Sequence, residues 1–388
     1  MDGKSAGIKA KTKIKNGKGQ QIVVGMSGGV DSTATLILLK KNGWDPIGVS
    51  LKFPTWENKI KDKNLSEEVR GKNPTEENAK SALSSIERAK KICEKYGCEH
   101  YILDVVEDFQ KNVIKYTINS LKNSQTPNPC VFCNRNTKFF HLFKFADSKN
   151  IKYFSTGHYA KITKSRKYKC FFLSVPKDKN KDQTYYLNLL PQEWLERIIF
   201  PLGEFTKKEV YEILKNENID FYNKVRQSQD FCFIPPKKMD NFLEKEVGNK
   251  SGNIIDTKGK ILGKHEGLQY YTIGQRKKIG LPGGPYYVIQ KNSIDNSIVV
   301  SKNRSDVGKS EAKLSDVFFS TDNFYGKKLE VKAKIRYQSK SIPAQIIPVK
   351  GNSKTCIIKF KDPQSAVTPG QYCVFYIGKL CIGSGVIN

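Results

Sequence analysis

IVVGMSGGVDS, residues 22–32, runs from an apolar strand-like segment through two glycines into Asp-Ser. Gly28 and Gly29 let a backbone approach an anion closely, and a helix beginning there would offer unpaired N–H groups and a positive dipole end. Ser27 and Ser32 add hydroxyl donors. Asp31 alone would repel a phosphate, which makes best sense beside Mg2+. The stretch therefore has the outline of a phosphate-gripping loop. It lacks the Gly-Lys-Ser/Thr that closes a Walker A loop.

Outward from the loop, strand and helix signals alternate. Residues 21–26 read as a strand, and 32–42 as a helix with Ala34, Ile37, Leu38 and Lys41 at helical spacing and Gly43 as its stop. Strands are expected at 46–51, 100–105 and 152–159, helices at 75–96 and 107–121, and a polar loop at 57–74. This alternation predicts an α/β fold, a doubly wound parallel sheet with its ligand at the strand C-terminal ends. The pattern changes near residue 216. Short β-like runs separated by glycines fill 225–282, and nearly every apolar run over 284–388 is strand-length. The chain of 388 residues exceeds what one core usually holds. It divides into a disordered basic tail (1–20), a parallel-sheet domain carrying the glycine loop (21–220), a small β-rich central domain (221–283) and a C-terminal β-barrel (284–388).

The formal charge is +29, from 67 Lys+Arg against 38 Asp+Glu, which makes a polyanion such as nucleic acid the first candidate partner. The first twenty residues carry six Lys and one Asp and no apolar run, unlike a secretory signal. No stretch of transmembrane length is apolar, so no membrane partner is expected. Nine cysteines, an odd number in so long a chain, point to a reducing cytoplasm with a few active thiols rather than a disulfide scaffold.

Cys130 and Cys133 stand in TPNPCVFCN, and Cys232 in SQDFCFI. A Cys-x-x-Cys can be a redox pair, half a zinc site, a cluster ligand or a buried structural pair. The four His show no zinc spacing with it. Cys93, Cys356, Cys373 and Cys381 lie on helix or strand patterns and read as core.

SGGVDS resembles the pyrophosphatase loop of N-type ATP pyrophosphatases, which cut ATP between the α- and β-phosphates. With TPNPCVFCN, STGHYA, KDQTYYL, SQDFCFI, GKHEGLQYYTIGQRKKIG, IRY and DPQSAVTPGQY, the chain from about residue 21 to its end resembles the tRNA-specific 2-thiouridylase family. The resemblance implies adenylation of O2 of the wobble uridine by ATP, then sulfur transfer. It places the catalytic cysteines at Cys133 and Cys232, a persulfide on Cys232, and a Cys133–Cys232 disulfide after transfer. Release of hydrogen sulfide before attack is the other route, and both need a site that favours thiolate. The implied ATP contacts are Gly25, Met26, Ser27, Gly28, Gly29, Val30, Asp31, Ser32, Leu51 and Gly157. Asn128, Pro129 and Cys130 match the segment that meets the target base. His158, Lys181, Asp182, Gln183, Arg336, Tyr337 and Gln371 match tRNA contacts.

This chain departs from the family at Cys130, where many members have Asp. Three thiols could then hold a 4Fe-4S cluster through Cys130, Cys133 and Cys232. The implied partners are tRNAs for lysine, glutamate and glutamine, and a persulfide-donating carrier protein or cysteine desulfurase. Two other functions stay open: a ligase with the same loop, such as argininosuccinate synthetase, and a non-catalytic RNA-binding protein.

Overall fold

The computed structural model describes residues 14–56, 76–219, 231–365 and 367–388, with backbone alone over 76–84. The expected loop at 57–74, residues 1–13 of the tail and the start of the central domain lie outside these. The N-terminal part carries strands β1 (Gln21–Gly25), β2 (Asp45–Lys52), β3 (His100–Asp104) and β4 (Tyr153–Thr156). A hairpin, β5 (Lys161–Ser165) and β6 (Cys170–Ser174), and a short β7 (Ile198–Ile199) follow. Five of these form a parallel sheet in the order β3-β2-β1-β4-β7. Chain order reverses on either side of β1, so a crevice opens beyond the ends of β1 and β4, where Gly25 pairs with Thr156.

Helix α1 (Val30–Lys41) buries every residue from Ser32 to Leu39. It therefore has no solvent face, unlike the one-sided helix its spacing suggests; a helix covered on all sides sits inside the domain. The sheet covers one side. Along the chain come α2 (Glu76–Lys95), α3 (Val106–Phe109), α4 (Lys115–Lys122), α5 (Pro129–Cys133), α6 (Phe139–Ser148), α7 (Gln192–Leu195) and α8 (Lys207–Asn216). Val210 and Leu214 of α8 share the core of α1 and cover another side of it. Asn128 caps α5 by accepting a hydrogen bond from the Val131 N–H at 3.4 Å, with Pro129 in the first turn.

Residues 14–19 correct the expected disordered tail. Ile14 is buried, Trp44 Nε1 donates to Lys15 O at 2.7 Å, and the N–H groups of Gly17 and Gly19 bond to Asn42 and Gly43. Gly17 packs so closely on the Trp44 ring that a Cβ there would lie 2.5 Å from it. Charge dominates the composition of this segment, but one isoleucine and two glycines decide its packing.

Helix α9 (Met239–Glu246) leads into a four-stranded central sheet of β8 (Gly252–Ile255), β9 (Ile261–His265), β10 (Tyr287–Asn292) and β11 (Ser297–Ser301). Its order is β10-β11-β8-β9. The sequence places the barrel from residue 284, yet β10 and β11 pair into the central sheet through β8. The barrel begins at β12 (Gly308–Phe319) and continues through β13 (Leu329–Lys334), β14 (Ile342–Val349), β15 (Asn352–Ser365), β16 (Tyr372–Ile377) and β17 (Leu380–Ile387). Pairing of β12 with both β15 and β17 closes six antiparallel strands.

The barrel is not a separate bead. Strand β6 pairs with β17, so the N-terminal hairpin extends the barrel sheet. One core runs from Val23, Phe139 and Phe154 through Tyr185 to Tyr372 and Val374. Among the described residues no helix is long and apolar enough to cross a membrane.

Candidate active site

The glycine loop sits at the crevice its sequence predicts. Gly28 has φ +66°, and a Cβ there would lie 1.9 Å from Ser85 O, so only glycine fits. Ser32 Oγ accepts from Ser27 N at 3.2 Å, lies 3.2 Å from Ser27 Oγ, and donates to Gly29 O at 3.1 Å. Arg88 Nε holds Gly28 O at 3.1 Å. Gly29 caps α1 without a side chain. The N–H groups of Gly28, Gly29, Val30 and Asp31 have no protein partner among the described residues. Such donors at a helix start suit an anion.

Asp31 has two partners its sequence does not announce. Its Oδ1 accepts from Lys207 Nζ at 2.6 Å and from Tyr159 Oη at 2.9 Å. A lysine from α8 therefore compensates the carboxylate. Sequence reasoning missed Lys207, which is one lysine in a chain full of them.

A cleft of about 290 Å³ gathers Gly25, Met26, Ser27, Asp31 and Ser32 with Leu51, Gly157, His158 and Gln183. Gly157 approaches the loop closely: a Cβ there would lie 2.7 Å from the Asp31 carbonyl carbon and 2.8 Å from Ser32 N. His158 Nδ1 lies 2.7 Å from Thr156 Oγ1. Burial first, then the Lys138 charge, holds its imidazole well below the usual pKa, so it is neutral.

Lys138 lines the same cleft and was not singled out from the sequence. It ends a π turn, Asn134–Lys138, that joins α5 to α6. Its charge acts in the stabilising direction on the thiolates of Cys130, Cys133 and Cys232. Its backbone N–H also donates toward the Cys133 sulfur. The one signal in the sequence is its place five residues after Cys133.

The three expected cysteines do come together. Cys130 and Cys133 share α5, and Cys133 packs with Trp56, Phe109, Phe233 and Phe242. Phe233 follows Cys232, and its carbonyl accepts from Trp56 N at 2.7 Å. The thiols are close enough to raise one another. All three are free; Cys133 is buried, while Cys130 and Cys232 touch solvent. Dense surrounding protein still desolvates them. Burial pushes Cys133 up to about 12 and Cys232 to about 11, and raises Cys130. The resting thiols are therefore protonated, because desolvation outweighs the Lys138 charge. Among the described residues no three His, Cys, Asp or Glu form a group that could hold a metal ion.

The expected tRNA contacts lie mostly at the seam between domains. Asp182 is buried; its Oδ1 accepts from Thr184 N and Oγ1, and its Oδ2 faces Lys334 at 3.4 Å. Gln183 Oε1 accepts from Tyr159 N at 2.7 Å. Gln371 Nε2 donates to Thr126 O at 2.8 Å and so ties the barrel to the loop before Asn128. Tyr337 packs on Tyr186 at 4.4 Å, and the Cys130 thiol acts on Tyr186. Lys181 is half-buried and Arg336 is exposed. Cys93, Cys356, Cys373 and Cys381 are buried in cores, as read.

Comparisons with known proteins bear on this geometry. The tRNA methyl transferase HUP domain family matches residues 20–236, the tRNA methyl transferase PRC-barrel domain family 240–302, and the aminomethyltransferase beta-barrel domain family 309–387. The tRNA-specific 2-thiouridylase MnmA of Clostridium perfringens is 38% identical over 373 residues, covering 95% of this chain and 98% of that protein. The enzyme of the same name from Clostridioides difficile is 39% identical over 372 residues, with the same coverage. Among solved structures, a U34-tRNA thiolase, NcsA from Methanococcus maripaludis, was determined with its iron–sulfur cluster. It aligns over 60% of this chain and 69% of its own, at 18% identity and a TM-score of 0.33, a distant likeness.

Proposed function

The chain belongs to the tRNA-specific 2-thiouridylase family and is an ATP-using tRNA sulfurtransferase; from that premise we propose how its residues divide the reaction. ATP lies in the crevice beyond β1 and β4, with its β- and γ-phosphates on the free N–H groups of residues 28–31. Leu51 packs on the adenine side and Gly157 permits the close approach. Mg2+ arrives with the triphosphate, and Asp31 is the cradle's acidic side chain. The wobble uridine leaves its stack and meets Asn128, Pro129 and Cys130.

O2 of the uridine attacks the α-phosphate, the α–β bond breaks, and pyrophosphate departs into the loop. A loop without the Walker lysine fits a leaving pyrophosphate. A urea-like C2 is a poor electrophile, and adenylation gives it a good leaving group. The terminal sulfur of a Cys232 persulfide attacks C2. Cys133 attacks Cys232 Sγ, the persulfide S–S bond breaks, and the sulfur stays on C2 as AMP leaves with the original oxygen. The resulting Cys133–Cys232 disulfide is reset by two electrons from an external dithiol or two external thiols. A carrier protein or cysteine desulfurase supplies the persulfide, and the substrates are tRNAs for lysine, glutamate and glutamine. The carrying observation is Lys138, which lines the nucleotide cleft and acts on all three thiols.

The test is single-turnover reaction of Cys232→Ser with unmodified tRNA. Pyrophosphate release should persist and depend on tRNA, while 2-thiouridine formation stops. Full thiolation by this variant would sink the sulfur route. Release dependent on an amino acid would favour a ligase, and no release a binding protein.

A further inference from the structure

A second cleft, of about 300 Å³, lies away from the nucleotide crevice, where the central domain meets the barrel. Arg276, Arg304 and Arg336 line it, with Tyr287 and Ser365. The three arginines come from different segments. Arg276 follows the short helical turn Leu268–Tyr270, Arg304 opens the turn Arg304–Val307 between β11 and β12, and Arg336 follows β13. None of their side chains has a hydrogen-bond or ion-pair partner among the described residues. The acid nearest Arg304 in sequence, Asp306, turns instead to Ser301 Oγ at 2.6 Å and Ser305 Oγ at 3.4 Å. No acidic residue lines the cleft.

Three guanidiniums facing one space repel each other, and an anion between them removes that repulsion. The planar fork of Arg matches phosphate oxygens. We propose that Arg276, Arg304 and Arg336 form one site for a backbone phosphate of the bound tRNA. This rests on the tRNA reading above. Position favours a polynucleotide over a free anion. All three residues are exposed, and the chain runs from Arg336 in this cleft to Tyr337 on the Tyr186 ring, beside the Cys130 thiol. A strand whose base reaches Cys130 passes within reach of the arginines.

The experiment measures affinity of the full chain for unmodified tRNA across a salt series, for wild type, Arg276→Gln, Arg304→Gln and the double variant. Folding is checked by circular dichroism. One phosphate contributes about 0.9 or less to the slope of log K against log salt. Each single variant should weaken binding about tenfold, and the double variant should flatten the slope by no more than that one-phosphate amount. Wild-type slopes and affinities in folded variants would overturn the proposal. So would slope losses that add, since those place the arginines on separate phosphates. Inorganic phosphate is titrated in parallel. Binding that needs Arg276 but does not compete with tRNA would assign the cleft to a free anion and overturn the proposal. Wild-type protein with no salt-dependent tRNA binding would overturn the tRNA reading itself, a result separate from intact binding with unaffected variants.

Discussion

Gly157→Ala tests whether the crevice holds the nucleotide. The new Cβ would lie 2.7 Å from the Asp31 carbonyl carbon, 2.8 Å from Ser32 N and 3.0 Å from Asp31 Cβ. Ordinary contact begins at 3.4 Å, so β4 and the start of α1 must part by about 3.4 − 2.7 = 0.7 Å. Two of the three atoms are backbone, so no rotamer change absorbs the clash. Overpacking of this kind costs about 1–3 kcal/mol. A binding constellation works within about 0.5 Å of its geometry, and the displacement exceeds that. If the fold yields at the loop, ATP should bind about 10- to 100-fold more weakly, a loss of about 1.4–2.8 kcal/mol. Calorimetric titration well below the melting temperature reads the affinity, and differential scanning reads the stability. An unchanged ATP Kd with a lowered Tm would refute the nucleotide assignment while leaving the steric argument standing. An unchanged Kd and Tm would refute both.

Lys207→Met removes the cation on Asp31 and leaves a carboxylate beside the phosphates. ATP affinity should fall about tenfold, Lys207→Arg should retain most of it, and Tm should fall because Lys207 is largely buried and its loss leaves the Asp31 carboxylate uncompensated; equal ATP affinity in Lys207→Met would show that Asp31 does not face the triphosphate. Lys138→Met should slow alkylation of Cys232 several-fold at a fixed alkaline pH and shift the alkylation pH profile upward, since burial and the Cys130 charge raise that thiol and Lys138 is the cation opposing them. A lower Tm with an unmoved profile would assign Lys138 a structural role only.

Local features were the legible ones. The loop was readable because its chemistry occupies six consecutive residues between a strand and a helix. The parallel sheet was readable because strand and helix signals alternate. What failed depends on distant partners. The β5–β6 hairpin joins β17, some two hundred residues away, and no local pattern announces that pairing. Strands β10 and β11 have the same period as barrel strands, and only their pairing with β8 assigns them to the central sheet. Lys138 and Lys207 are two among many lysines, and their roles come from what folding sets beside them. The direction of the thiol pKa values is a burial effect, which neither spacing nor net charge reports.

That burial effect bears on how the chemistry is ordered. A thiolate held ready beside Lys138 would be oxidised or alkylated between turnovers. With Cys133 near 12 and Cys232 near 11, both rest as neutral thiols. A persulfide is a stronger acid than its parent thiol, so loading Cys232 supplies the first nucleophile without lowering that thiol's pKa, whereas Cys133 must lose its proton before it attacks Cys232 Sγ. The seam then explains why binding need not build the site. Gln371 already pins the loop before Asn128, Asp182 already holds Lys334 of the barrel, and Tyr337 already backs Tyr186 beside Cys130. The incoming uridine therefore meets a wall whose parts are in place, and most of the orientation cost is met in folding rather than in binding. On the proposed base contact, Cys130 is a neutral surface against the uridine, and Cys130→Ser should weaken tRNA binding, read by titration, before it slows single-turnover thiolation.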